Sequence, residues 1–326
     1  MDLPTTLSRR DALALALAAA ASPAAAADTY PSRTVTLVAP SEPGGPLDSY
    51  SRSIADELRK ALHQTVLVRN LPGAGTTLST NLVAHAAPDG YTLLMVADSQ
   101  TVSETLYVHK PYELLRDLTV VAAMVETDLA LVVHPSVPAR SLQELLALVR
   151  DKPGKLDYGS AGFGSSQHMA AELLQQITGI DIVHFPDNDS SAMRSDLVRG
   201  ETQILFDAIP ALVPAIRAGS VRVLATTGEQ RSPILPAVPT FAEAGVDFQM
   251  SLWLGMMAPK ATPQPIIDLL NKTITGIITR SDFKSEWEKQ GAAPMLKTRA
   301  ECTAFIQREI DKWAAVIKAN HIALIN

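Results

Sequence analysis

Apolar positions along the chain fall into two alternating patterns. Short apolar runs of strand length alternate with longer stretches in which apolar residues recur every three or four positions. Residues 34–39 form the first apolar run, and Leu47, Tyr50, Ile54, Leu58 and Ala61 follow at the spacing of one helix face. Further strand-like runs stand at 65–69, 91–96, 120–125, 129–133, 156–159, 181–185, 203–207 and 221–226. Glu126-Thr127-Asp128 joins the fourth run to the fifth. Helical spacing appears at 78–86, 141–150, 191–199 and 211–218, and at Met169, Leu173 and Ile177. Ser141 stands as an N-cap with Glu144 completing a capping box. From 251 onward the chain reads mostly as helix, at 265–278, 283–290 and 299–319, with Trp253 either in a core or near a cleft mouth. This β–α alternation predicts an α/β protein built from mainly parallel sheets with helices on both faces.

Residues 1–27 follow another rule. Arg9-Arg10-Asp11 precedes an unbroken Ala/Leu run at 12–21, and small residues lead to Ala25-Ala26-Ala27. A charged segment, an apolar segment and an A-x-A-like site make an export signal. The paired arginines fit the twin-arginine type, and an ordinary secretory signal also accommodates them. No cysteine stands near the cleavage site to carry a lipid, so the chain from Asp28 is expected to be exported without an anchor. The signal carries Arg9 and Arg10 but also Asp2 and Asp11, so the net charge stays at −6 after its removal. That mild acidity gives no footprint for nucleic acid. The single cysteine, Cys302, excludes an internal disulfide and reads as a packed small residue in the last helix.

Candidate chemistry gathers in four stretches rich in Gly and hydroxyl residues, 41–46, 73–77, 97–101 and 160–166, each placed after an expected strand. In parallel sheets the ligand crevice lies at the carboxyl ends of the strands. Gly44 and Gly45 let backbone N–H groups approach a ligand, and the helix that follows adds unpaired N–H groups and a positive dipole end. An anionic head group fits such a seat, although an ordinary βα turn has the same composition. Catalytic patterns do not assemble. Ser165, Ser166 and His168 lie close together without the G-x-S-x-G elbow of a hydrolase, and either serine fits an N-cap. Gly73-Ala74-Gly75 lacks the third glycine of a dinucleotide fingerprint, Leu78 standing in its place. None of the seven histidines has metal-site spacing. Asp48 and Asp207 are lone acids, and Asp48 also fits a helix-start cap. No catalytic residue, metal or cofactor is expected, and the chain is not expected to be an enzyme.

Several short motifs, in order and spacing, carry a resemblance. They are Tyr30-Pro31-Ser32-Arg33, Pro43-Gly44-Gly45 with Asp48, Asn70-Leu71-Pro72-Gly73-Ala74-Gly75 and Ala87-Pro88-Asp89-Gly90-Tyr91-Thr92-Leu93-Leu94. Lys152-Pro153-Gly154, Ser160-Ala161-Gly162, Phe206-Asp207 and Val238-Pro239-Thr240 continue it. The chain from Asp28 resembles the solute-binding proteins of tripartite tricarboxylate transporters, the Bug family, nearly from end to end. The resemblance implies a two-domain periplasmic binding protein fold, type II-like, with a ligand cleft between the domains. It divides the chain into a first domain at 28–126 and 251–326 and a second at 127–250. It implies a monomer that captures a small organic acid and hands it to membrane subunits of a transporter, or to a sensor. An exported α/β hydrolase-like enzyme is the competing class.

Carried onto this sequence, the family's site falls on Ser41, Gly44 and Gly45 in the first loop. From the second domain it falls on Ser160, Ala161, Gly162 and Ser166, with His168 at the helix start and Asp207 on the opposite wall. Glu42 and Ser99 complete the candidate set. Amide dipoles in a closed cleft can hold an anion without a cationic side chain. Ser41-Glu42 replaces the family's usual aromatic and proline, and Asp187-Asn188-Asp189 replaces its usual aromatic, lysine-like residue and glycine. If Glu42, Asp187 and Asp189 face the cleft, they repel a dicarboxylate or demand a cationic or amide group. Two ligand classes follow: a carboxylate with an amide or amino second end, and an aromatic, nicotinic-type acid.

Overall fold

The computed structural model describes residues 30–44, 46–187, 190–289 and 291–326. The expected export signal at 1–27, and the candidate positions Gly45 and Asp189, lie outside the described residues. In chain order the first half runs β1 (Val35–Ala39), α1 (Pro46–Leu62), β2 (Val66–Asn70), α2 (Thr77–Ala84), β3 (Thr92–Ala97), α3 (Asp98–Leu106) and α4 (Leu114–Asp117). A long strand, β4 (Leu118–Val133), leads to α5 (Leu142–Asp151), β5 (Asp157–Ser160), α6 (Ser166–Thr178), β6 (Val183–Pro186), α7 (Ser190–Arg199), β7 (Ile204–Ala208), α8 (Ile209–Arg217) and β8 (Arg222–Thr226). The chain returns through β9 (Ser251–Pro259) and ends with α9 (Gln264–Ile278), α10 (Ser281–Lys289), β10 (Ala292–Pro294) and α11 (Arg299–Ala319).

Two parallel trios stand at the two ends of one strand network, β2-β1-β3 and β6-β5-β7. Between them β9 and β4 run antiparallel to their neighbours, so the sheet is mixed rather than mainly parallel. The cause is connectivity: a strand that leaves one trio and enters the other must arrive from the opposite direction. Strand β4 pairs with β9 from Leu118 to Asp128, then with β7 and β8 from Leu129 to Val133. The two runs joined by Glu126-Thr127-Asp128 are therefore one continuous strand. These residues pair with Trp253, Leu252 and Ser251, and their polar side chains are tolerated because they are only half-buried between two cores.

Period-two alternation assigns each face. Leu129, Leu131 and Val133 join one core of the second sheet, while Ala130 and Val132 join the core on its other face. Helix α1 lays Ile54 and Leu58 on the first sheet as its spacing predicts, although Ala61 is exposed. Helix α11 spans both units: Cys302 and Ile306 pack under the first sheet, and Trp313, Val316 and Ile317 under the second. Helix α3 also crosses, with Val102 and Leu106 in the second sheet's core. Trp253 is a core residue of β9, edge-on to Phe305.

Candidate functional site

The carboxyl ends of the two trios face one another and touch. Ser166, opening α6, donates its hydroxyl to Asp98 at the start of α3. A Cβ added at Gly164 would lie 2.6 Å from Leu106 Cδ2. The segments that follow β3 and β5 thus meet, and with those that follow β1 and β7 they make the candidate rims of the crevice expected at strand carboxyl ends in parallel sheets.

On the first rim the loop after β1 is held from behind by Asp48. This buried carboxylate accepts from Gly44 N–H at 2.9 Å, Arg52 Nε at 2.9 Å and Asn70 Nδ2 at 2.8 Å. Arg52 also gives Nη2 to Asn70 Oδ1 at 3.0 Å, and Asn70 Nδ2 reaches the Ser41 carbonyl at 3.1 Å. Burial works to raise the Asp48 pKa, but the bonds from Arg52, Gly44 and Asn70 outweigh it and hold the carboxyl below its usual range. The Gly44 amide, expected to face a ligand, is directed instead at Asp48; its φ of +87° lets the loop make this turn. Ser41 is half-buried, and its Oγ has no partner among the described residues. Glu42 is exposed.

The expected loop at 97–101 is the first turn of α3. Gln100 Oε1 accepts the Ala97 N–H at 2.9 Å and closes the helix start, so Ser99 sits on a helix rather than a loop. Asp98 is buried, and burial pushes its pKa up to about 6; the Ser166 hydrogen bond opposes the rise and Glu309 adds to it.

On the second rim Ser165 caps α6, accepting His168 N–H at 3.3 Å. Ser160 is fully buried, its Oγ 2.6 Å from His184 Nε2 and accepting Gly162 N–H at 3.1 Å. The His168 and His184 rings stack at 4.2 Å, against Tyr158 and Phe163. Burial lowers both histidines to about 4, so both are neutral at pH 7. The Gly164 N–H donates to His168 Nδ1 at 3.2 Å, which puts the ring proton on Nε2, facing Glu172 at 4.0 Å. Neither Ser165 nor Ser166 offers its hydroxyl to the His168 ring, so the serine–histidine pair of the enzyme reading is not assembled. Ser160 does touch His184, but it is fully covered and braces the turn.

Asp207 closes this rim at the end of β7. Its Oδ2 accepts Arg194 Nη1 at 2.9 Å, and its Oδ1 accepts Gln167 Nε2 at 3.2 Å and Ala208 N–H at 2.9 Å. Burial raises its pKa against the pull of Arg194. Asp207, expected on the opposite wall of the cleft, is half of an ion pair with Arg194. Gly162 N–H and the Ser166 hydroxyl are likewise taken up inside the protein. Asp98, Arg194, Gln167 and His184 were not singled out as site residues by sequence. Asp98 directly follows the third apolar run, which was the available signal; nothing local marks Arg194. A surface groove of about 590 Å³ lined by Arg140, Gln143, Val238 and Glu243 lies outside these segments. Among the described residues no helix is long and apolar enough to cross a membrane, and no cluster of three or more His, Cys, Asp or Glu could hold a metal.

Residues 50–322 match the family described as the tripartite tricarboxylate transporter family receptor. The chain belongs to this family. BugT of Bordetella pertussis is 36% identical over 307 residues, covering 93% of this chain and 94% of that protein. Among solved structures, a Rhodopseudomonas palustris protein with adipate is 31% identical with a TM-score of 0.83, covering 91% of this chain and 100% of its own. MatC of the same organism, solved with bound malate, is 33% identical with a TM-score of 0.78, covering 88% of this chain and 100% of its own. As a receptor of this family the chain has the fold of periplasmic binding proteins, as the sequence predicts.

Proposed function

We propose that the protein is an exported, monomeric solute-binding protein that captures a small carboxylated metabolite in the crevice between the two rims. It delivers the ligand to membrane subunits of a tripartite transporter. The observation that carries this reading is the meeting of the strand carboxyl ends of both trios, in a fold whose relatives are solved with adipate and with bound malate. The lobes are 28–126 with 251–326 and 127–250, and opening is a hinge motion about β4 and the entry to β9. Residues 1–27 are the signal removed on export.

Within the site, the Ser41 hydroxyl, without a partner among the described residues, and the Ala161 amide are the ligand's direct contacts, with Ser99 at the start of α3 and Glu42 at the mouth; Gly45, expected beside them, lies outside the described residues. Gly44, Ser160, Gly162, Ser166, His168 and Asp207 shape the walls, since their polar groups already bond within the protein. The test is thermal unfolding of the exported form against mono- and dicarboxylates, amino acids, aromatic acids and their amides. A ligand at 100 times its dissociation constant adds about 2.7 kcal/mol, a rise of several degrees in Tm. No rise with any carboxylate, on protein shown by mass spectrometry to be empty, overturns the reading.

A further inference from the structure

The two rims carry the same device, and the way it is spent differs. Each has a buried aspartate that accepts from an arginine, a carboxamide and a backbone N–H: Asp48 with Arg52, Asn70 and Gly44, and Asp207 with Arg194, Gln167 and Ala208. Arg52 uses two edges of its guanidinium, Nε on Asp48 and Nη2 on Asn70, and its side chain is 53% exposed. Arg194 uses a single nitrogen, Nη1, on Asp207 among the described residues, and its side chain is 29% exposed. A guanidinium has five donors in a planar fork suited to a second carboxylate. Asp207 keeps Gln167 and Ala208 as partners whether or not Arg194 is shared. Asp207 stands at the carboxyl end of β7, so the arginine it holds lies beside that strand end and keeps part of its side chain open to solvent.

We propose that Arg194, held in place by Asp207, receives the second carboxylate of the ligand and makes the protein selective for dicarboxylic over monocarboxylic acids of the same chain length. The proposal rests on the carboxylate-binding reading and deepens it. It departs from the expectation that amide dipoles alone serve the site. A charged, partly desolvated hydrogen bond of this kind is worth about tenfold or more in affinity.

Calorimetric titration with straight-chain diacids of four to six carbons and with the matching monoacids tests it. Two variants are compared with the native chain: Arg194→Met, and the double change Arg194→Met with Asp207→Asn, which leaves no lone buried charge. In the native protein at least one diacid should bind ten times more tightly than its monoacid. In both variants that ratio should fall to within about threefold, with unfolding still cooperative. A ratio that survives both variants, or a native preference for monoacids, overturns the assignment of Arg194 and leaves the carboxylate reading intact. If no carboxylate of any kind binds, the underlying reading fails as well.

Discussion

The rims around Asp48 and Asp207 show how one arrangement of side chains serves two ends. Around Asp48, whose arginine is 53% exposed, the hydrogen bonds outweigh burial and the pKa is lowered. Around Asp207 burial dominates and the pKa is raised, although the partners are of the same types. The first cluster fixes a loop: Gly44, Asn70 and the Ser41 carbonyl are drawn together over the end of β1. The second anchors a cation deeper in the molecule. The difference teaches that a partner list alone does not set the energetics of a buried acid; the depth at which the list is assembled decides the sign of its pKa shift.

Removing the carboxylates is the strongest way to break the comparison. Asp207→Ala leaves Arg194, Gln167 and Ala208 N–H without their shared acceptor in a buried setting, and should cost about 3 kcal/mol in urea unfolding. Asp48→Ala strands partners that reach water, and about 1–2 kcal/mol is expected. Equal losses would mean that depth is not the deciding variable.

The dependence on pH sharpens it further. Asp98 and Asp207 have raised pKa values, so their contributions are fully present below the unfolded carboxyl value and are lost as pH rises through the folded one. Asp48 is lowered, so its contribution is present above the unfolded value and is lost as pH falls through the folded one. For Asp98 the window runs from the ordinary aspartate range to about 6, and on the order of 2–3 kcal/mol is at stake. Asp98→Asn should flatten the decline in stability across that window, measured by urea unfolding at each pH. A native protein whose stability does not fall there would contradict the burial argument.

Much of the frame was legible in sequence, and the reasons divide cleanly. Residues 34–58 announce β1 and α1 because period-two and period-3.6 spacing are local signals, and Ile54 and Leu58 are buried as that spacing requires. Strand β9 was not legible. Leu254 through Ala258 are buried on both faces, so no alternation marks them, and a return strand between two units has no local signature. Helix α3 opens with Asp98, Ser99 and Thr101, poor helix formers, and owes its place to Gln100 and to Val102 and Leu106 packing on the other sheet's core. The hydroxyl and glycine segments do follow strands, at the ends of β1, β2, β3 and β5. Which of their polar groups remain available could not be read, because Asp48, Asp98 and Asp207 take them through contacts with partners up to 68 positions away.

The smallest expected difference separates two glycines that both have positive φ. Gly164→Ala would set a methyl 2.6 Å from Leu106 Cδ2, and Leu106 is fully buried, so α3 and the loop before α6 must shift apart. About 1–3 kcal/mol of overpacking cost is expected on top of backbone strain. Gly44 has φ +87° and nothing within 4 Å of an added Cβ, so Gly44→Ala meets only the left-handed backbone penalty, about 1 kcal/mol. Gly44→Val should likewise spare the fold, and by perturbing the loop that carries Ser41 it should weaken ligand affinity. The two sites therefore predict opposite patterns: Gly164→Ala lowers Tm more than Gly44→Ala, while Gly44→Val lowers affinity with the smaller loss of Tm. Undiminished affinity in Gly44→Val would remove the loop after β1 from the site and leave the crevice defined by the second rim alone.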